Sequence, residues 1–341
     1  MKILSIGTDR KLFEEESAVR ARQIEYAKKW EEIHIVVFSI KSEIKKTRIQ
    51  ISNNVWVYST GSLSKLFYIL DAIKIGRKIL RLGNYVITCQ DPFETGLVGW
   101  RLAKKFKAPL ELQIHTGIGS PYFTSLKLGW RLASLNFIRF QLAGFLLPKA
   151  SKVRVVSSRI KDYLVSHFKI FQDKIEIRPI KIDKEKILAS AIFPENDLRK
   201  KYPQFDFIVL MAGRLEPEKN FSFALEIWRE VVKKNLRAGL IIVGSGSISD
   251  VLKLQVTGYK LQDNVVFEPW TENLFSYYKT ADIFLNTSFY EGYGMTLAEA
   301  AVADCPIVSS DVGIINELFQ SGKKVAICPV DDKNCFVAKI M

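Results

Sequence analysis

The 341-residue chain lacks several features that would decide its class at once. It has no uncharged run long enough to span a bilayer. The longest stretch without Lys, Arg, Asp or Glu is Ile49 to Ser64, and that stretch is polar and turn-rich. The opening MKILSIGTDR carries one short apolar run ended by glycine, too short for a secretory leader. Cysteine is scarce. Cys89, Cys305, Cys328 and Cys335 show no C-x-x-C pair and no metal spacing, so all four read as reduced cytosolic thiols. No Walker A loop occurs, and GSGSIS (Gly244 to Ser249) lacks the third glycine of the dinucleotide fingerprint. No Asp-x-Asp occurs, and the acids show no clustered ligand spacing. Acidic residues are almost missing from one region. Between Leu97 and Lys161 there are 12 Lys and Arg and a single acid, Glu111.

That gap is part of a larger asymmetry. The net charge is +14, but residues 1–186 carry 34 bases and 17 acids while the remainder carries 16 and 19. The first half therefore holds all the excess, which suits an anionic partner such as a membrane surface, a nucleic acid or a phosphorylated substrate. The charge is not accompanied by a stacking motif or a nucleic-acid module, so nucleic acid is set aside.

What is present is a repeated alternation. Strand-like runs are KILSI, IHIVVF, YVITC, LELQI and VRVVSS in the first half, then FIVLMA, GLIIVG, VVFE, DIFLN and CPIVSS in the second. Helix-length segments separate them, including 17–30, 95–106, 221–234 and 296–302. Short apolar strands alternating with helices imply parallel sheets covered on both faces. The expected fold is α/β, with two Rossmann-like doubly wound domains facing a central cleft. The polar, proline-containing stretch 183–201 separates them, giving domains 1–183 and 184–341. Ligands of such sheets sit at the carboxyl ends of the strands.

Two stretches at such ends carry chemistry. In YEGYGMTLAEA, Glu291 and Glu299 flank Gly292, Gly294 and a helix start. The glycines let backbone approach a ligand, and the amides of Gly294, Met295 and Thr296 would hold a phosphate. Carboxylates repel phosphate, so the two acids should contact hydroxyls on either side of a diphosphate. In AGRLEPEKN, Arg214 and Lys219 follow a strand and would supply the cations.

The two stretches together resemble the retaining GT-B-fold glycosyltransferases, in the large family with the E-x7-E motif known as group 1 or family 4. Glu291 and Glu299 match the two glutamates, and Gly213, Arg214, Leu215, Lys219 and Asn220 match GRLxxxKN letter for letter. PIVSSDVGIINEL places Glu317 at a further family acid. LELQIHTG resembles the strand whose final histidine, here His115, contacts the donor sugar. The chain departs from the family in PIKID (Pro179–Asp183) for PNGVD, in Pro269 for a glycine, and in a single Gly313 for a double glycine. It ends at NCFVAKIM, where relatives continue into helices that cross back to the first domain, so the expectation is either a truncated sequence or a second domain without its final helices.

The resemblance implies sugar transfer from a UDP- or GDP-sugar to a glycan or lipid-linked acceptor, in cell-surface polysaccharide synthesis. It implies retained anomeric configuration, front-face attack and no cofactor or metal. Glu299 would hold the ribose, Glu291 the sugar hydroxyls, and Arg214, Lys219, Gly244, Gly292, Gly294, Met295 and Thr296 the donor. His115, Glu291, Arg214 and Lys219 count as catalytic only by positioning and charge. The basic, aromatic stretch 124–154, with Lys127, Arg131, Arg139, Trp130, Phe137, Phe140 and Phe145, reads as a peripheral contact with anionic lipid. The chain is placed in the cytoplasm, at the inner face of the plasma membrane. Two other readings stay open: a sugar-nucleotide epimerase of similar fold, for which acid/base residues beyond His115 are missing, and an inactive nucleotide-sugar-binding subunit.

Overall fold

A computed structural model describes residues 1–341 apart from Ser190, which falls in the expected linker, and Glu272. The chain divides into two compact units. Unit 1 comprises Met1–His115 and Ser134–Arg178; unit 2 comprises Thr116–Ala133 and Pro179–Met341. The division thus falls at 178/179 instead of 183/184. Residues 116–133, read from sequence as part of the first domain, pack with the second.

Unit 1 holds eight strands: β1 (Lys2–Gly7), β2 (Glu32–Val37), β3 (Arg48–Ser52), β4 (Val55–Ser59), β5 (Tyr85–Cys89), β6 (Leu110–Ile114), β7 (Lys152–Val155) and β8 (Ile175–Ile177). Their order is β3-β4-β2-β1-β5-β6-β7-β8. All neighbours are parallel except β3 and β4, an antiparallel hairpin at the edge. The sheet is therefore mixed, not wholly parallel as expected. The hairpin lies in RIQISNNVWVYS, where two alternating runs flank Asn53-Asn54, a turn signal the sequence reading passed over.

Unit 2 holds β9 (Phe207–Ala212), β10 (Ala238–Val243), β11 (Val265–Glu268), β12 (Ile283–Asn286), β13 (Ile307–Ser310) and β14 (Val325–Cys328). All are parallel, in the order β11-β10-β9-β12-β13-β14. Counted from β9 this is 3-2-1-4-5-6, the dinucleotide-binding order, whose switch point lies between β9 and β12. Successive residues of the central strands enter opposite cores. Val209, Met211, Leu240 and Ile242 pack under the helix Phe221–Lys234, while Ile208, Leu210, Ile241 and Val243 pack beneath Tyr277 and Phe284. The helix Phe221–Lys234 repeats apolar residues at helical spacing (Phe221, Leu225, Trp228, Val231) and buries all four. The Trp228 indole donates to the Asn264 carbonyl at 3.1 Å, which satisfies its buried N–H.

One expectation about cysteine is overturned. Cys328, at the end of β14, is joined to Cys335 in the helix Lys333–Ile340 by a disulfide. Only Cys89 and Cys305 are free thiols, and both are buried. The physical reason is the tight return of the chain through Pro329–Asp332, which brings the two Cα atoms to 5.8 Å. Spacing seven apart in sequence gave no hint of it.

Candidate active site

The switch point of unit 2 is built from the two loops that leave β9 and β12. The first runs through Gly213–Asn220 into the helix Phe221–Lys234. It is tied to the loop after β10. Leu215 N donates to Ser245 O at 2.9 Å, and Ile248 N to Leu215 O at 3.1 Å. The Glu216 carboxylate accepts from Ser247 N at 3.1 Å and from Ser247 Oγ at 2.5 Å. Gly244 sits at the closest approach, with φ +145°; a Cβ there would stand 1.9 Å from the Gly213 carbonyl oxygen. GSGSIS is thus more than a turn: its first glycine lets two loops share one backbone contact.

Lys219 and Asn220 end the first loop. Asn220 adopts the left-handed conformation (φ 53°), and its amide donates to Asp331 Oδ1 at 2.9 Å. The second loop docks onto this corner. Phe289 N donates to Glu218 O at 2.9 Å, and Thr287 Oγ1 to Asn220 O at 3.0 Å. The Lys219 ammonium then meets the Glu291 carboxylate in a direct ion pair, and Ser288 Oγ donates to the same carboxylate oxygen at 2.9 Å. Both partners are largely buried, with side chains 20% and 11% exposed. The cation expected at the diphosphate and the acid expected at the sugar hydroxyls therefore touch each other. Ser288 was not visible from sequence, because nothing local marks a serine that caps an ion pair.

After Glu291 the chain passes Gly292 and Gly294 into the helix Met295–Val302. Gly294 is the N-cap residue, with φ +89°, and offers no side chain to the helix start. The first amides of the helix, including those of Met295 and Thr296, lie beyond reach of intrahelical acceptors. Gly313 closes the turn from behind: at φ +55°, a Cβ there would stand 2.4 Å from Tyr293 O and 3.0 Å from Glu291 Cβ. The one glycine retained from the family's pair is the one that the Glu291 turn cannot do without. Glu317 lies nearby in sequence, in the first turn of the helix Ile315–Gln320.

Glu299 and Arg214 make their contacts elsewhere. Glu299 accepts from the buried Tyr278 hydroxyl at 3.2 Å, and burial raises its pKa. Arg214 is mostly exposed and pairs with Glu218 at 3.1 Å, four residues on. The structure thus joins Lys219 with Glu291 directly and leaves Arg214 on its own loop surface.

Residues 116–133, unnoticed in sequence as part of this unit, lie across the second loop. A Cβ on Gly117 would be 2.5 Å from the Glu291 carbonyl oxygen. Ser120 Oγ donates to Phe289 O at 3.2 Å, Tyr122 stacks on Phe289 at 5.1 Å, and Phe123 meets Tyr290 edge-on at 5.5 Å. Lys127 pairs with Asp331, the acid that also holds Asn220. No short motif could reveal this, since the contacts join positions about 170 residues apart in sequence.

His115 belongs to unit 1, where it follows β6. Its Nε2 lies 3.0 Å from Gln113 Oε1. Burial, helped by the Arg154 charge, pushes its pKa down to about 4, so the ring is neutral at pH 7.

Residues 194–341 match the family described as glycosyl transferases group 1. That match covers less than half of the chain. Among similar proteins, alpha-monoglucosyldiacylglycerol synthase of Streptococcus pneumoniae is 28% identical over 239 residues, 68% of this chain and 53% of that protein. The UDP-Gal:alpha-D-GlcNAc-diphosphoundecaprenol alpha-1,3-galactosyltransferase of Escherichia coli is 24% identical over 266 residues, 76% of this chain and 66% of that one. The match thus spans between half and two thirds of these two relatives. Two solved structures share the two-domain GT-B fold of this chain. Sucrose-phosphate synthase from Thermosynechococcus elongatus has a TM-score of 0.79 at 19% identity, covering 100% of this chain and 89% of its own. Anabaena Alr3699/HepE in complex with UDP-glucose has a TM-score of 0.74 at 18% identity, covering 100% and 88%.

Proposed function

We propose that this chain transfers a sugar, with retention of anomeric configuration, from a UDP- or GDP-sugar to a glycan or lipid-linked acceptor in cell-surface polysaccharide or glycolipid synthesis. The observation that carries the reading is the meeting of Lys219 and Glu291 at the switch point, beside the uncapped helix start at Gly294. An incoming diphosphate would draw Lys219 away from Glu291, freeing the acid for sugar hydroxyls. Arg214, Lys219 and the amides of Gly294, Met295 and Thr296 would then face the departing phosphate, where charge develops. Glu299 would hold the ribose, Gly244 and Gly292 would let backbone approach the donor, and His115 would contact the sugar. The cationic grip makes a metal unnecessary in this reading. Among the described residues no three His, Cys, Asp or Glu side chains gather as a metal site. Support comes from the names of the relatives, one of which uses UDP-Gal, and from the fold shared with a protein solved with UDP-glucose.

A thermal-shift panel of nucleotide sugars tests this. The cognate donor at about a hundred times its Kd should raise the melting temperature by on the order of 5 °C. Glu299→Ala should abolish most of that rise. A full rise in the variant would remove Glu299 from the ribose, and no rise with any nucleotide sugar would remove the reading. Binding without transfer to any acceptor would favour the inactive-subunit alternative.

The proposal keeps the peripheral membrane contact at the inner face of the cytoplasmic membrane, with a changed footing. Two of the expected cations are already engaged: Arg139 pairs with Glu94 at 3.0 Å, and Lys127 with Asp331. Arg131 lies over the Trp130 ring at 5.3 Å. Within unit 1 the helix after Ala133 leaves Phe137, Ile138 and Phe145 exposed, with the Lys149 ammonium 3.6 Å from the centre of the Phe145 ring. No described helix is long and apolar enough to cross a membrane. Flotation with anionic vesicles should recover the chain, and Phe137→Ser with Ile138→Ser should lower recovery several-fold. Equal recovery with neutral and anionic vesicles would end the proposal.

A further inference from the structure

Glu111, the lone acid of the basic stretch, is not a surface counter-ion. It is half-buried on β6, facing its register partner Thr88 of β5, with Gln113 two residues further along on the same face. A chain of three hydrogen bonds runs from it. Thr88 Oγ1 is 3.0 Å from Glu111 Oε1, Gln113 Nε2 is 2.8 Å from Thr88 Oγ1, and His115 Nε2 is 3.0 Å from Gln113 Oε1. The direction of every bond follows from the first. A carboxylate only accepts, so the Thr88 hydroxyl gives its single proton to Glu111. That hydroxyl can then only accept from Gln113, which turns the amide nitrogen toward Thr88 and the carbonyl toward His115. A carbonyl also only accepts, so the histidine nitrogen facing it must carry hydrogen.

We propose that Glu111, Thr88 and Gln113 are positioning residues that hold His115 as the Nε2–H tautomer and leave Nδ1 as an acceptor for a ligand hydroxyl. The ligand half rests on the reading that His115 meets the donor sugar. The neighbouring charges suit a neutral ring. Arg154 is the register partner of Gln113, Lys152 that of Glu111, and Glu176 that of Arg154. With Arg154 close and the site buried, the imidazole stays uncharged at pH 7, so one nitrogen must donate and the other accept.

Histidine-selective 15N labelling of the whole chain, read by long-range 1H–15N correlation at pH 7 without nucleotide sugar, tests the relay directly. His115→Asn assigns the signals. The unaltered chain should show a protonated Nε2 and a bare Nδ1. Thr88→Val should shift the tautomer ratio about five-fold toward Nδ1–H, as expected for loss of one neutral hydrogen bond, and Thr88→Ser should restore it. In transfer assays Thr88→Val should lower kcat/KM by a similar factor, again with rescue by serine. An Nδ1–H tautomer in the unaltered chain, or an unchanged ratio in Thr88→Val, overturns the relay whatever the chain transfers. The expected tautomer together with full transfer by His115→Ala would keep the relay and refute the hydroxyl contact.

Discussion

Lys219→Ala is expected to lower kcat/KM for sugar transfer by about a hundred- to a thousandfold, the usual cost of removing one preorganised charge from a developing anion. The loss has two parts. In the proposed reaction the diphosphate would lose the cation nearest the turn, since Arg214 is mostly exposed and engaged with Glu218. Glu291, largely buried, keeps the Ser288 hydroxyl as a donor but loses its counter-charge. An unpaired carboxylate in that position repels phosphate as well as failing to order the sugar. Lys219→Arg keeps the charge but changes its reach, so it should recover part of the rate and not all of it. Lys219→Met, similar in length but uncharged, should behave like the alanine variant. Steady-state kinetics with the cognate donor decide the matter. A less than tenfold fall for both uncharged variants would show that Lys219 belongs to the resting ion pair alone.

Gly244→Ala is expected to destabilise unit 2 by about 3–5 kcal/mol, among the largest effects a single methyl group can have. Its backbone is held at φ +145°, and the new Cβ would fall 1.9 Å from the Gly213 carbonyl oxygen. Neither atom can move without breaking the bonds of Gly213 N to Val243 O, at 3.0 Å, and Gly244 N to Glu268 O, at 2.9 Å. The Arg214 loop would have to lift, so donor binding should weaken along with stability. Gly258→Ala makes a suitable control. It ends the helix Ser249–Gly258, with open space around the site of a Cβ, and should change stability by well under 1 kcal/mol. Urea unfolding followed by a unit 2 fluorophore such as Trp228 would separate the two. Equal midpoints for Gly244→Ala and the unaltered chain would mean that the two loops are not packed together.

Much of this site could be read before any coordinates. The strand, glycine, loop and helix order put Arg214 and Lys219 after β9, and Glu291 and Gly294 after β12. A parallel sheet sends both loops to the same edge, so their sharing a rim followed from pattern and chain direction. The short apolar strands of unit 2 were legible because both faces are buried, which leaves continuous β-branched runs. β3, β4, β8 and β14 were not: they are edge or near-edge strands, and in β3 and β8 polar residues dilute the signal.

Local sequence determined which residues stand at the switch point and which backbone sites need glycine, because helix starts, strand lengths and tight turns are settled by neighbours a few positions away. Tertiary structure alone decided how those residues are used. It paired Lys219 with Glu291, laid 116–133 over the Glu291 loop, joined Cys328 to Cys335, and placed Glu111 at the head of a chain ending on His115. Such contacts depend on strand register and loop docking, which sum over the packing of a whole unit, and no window of adjacent residues contains that information.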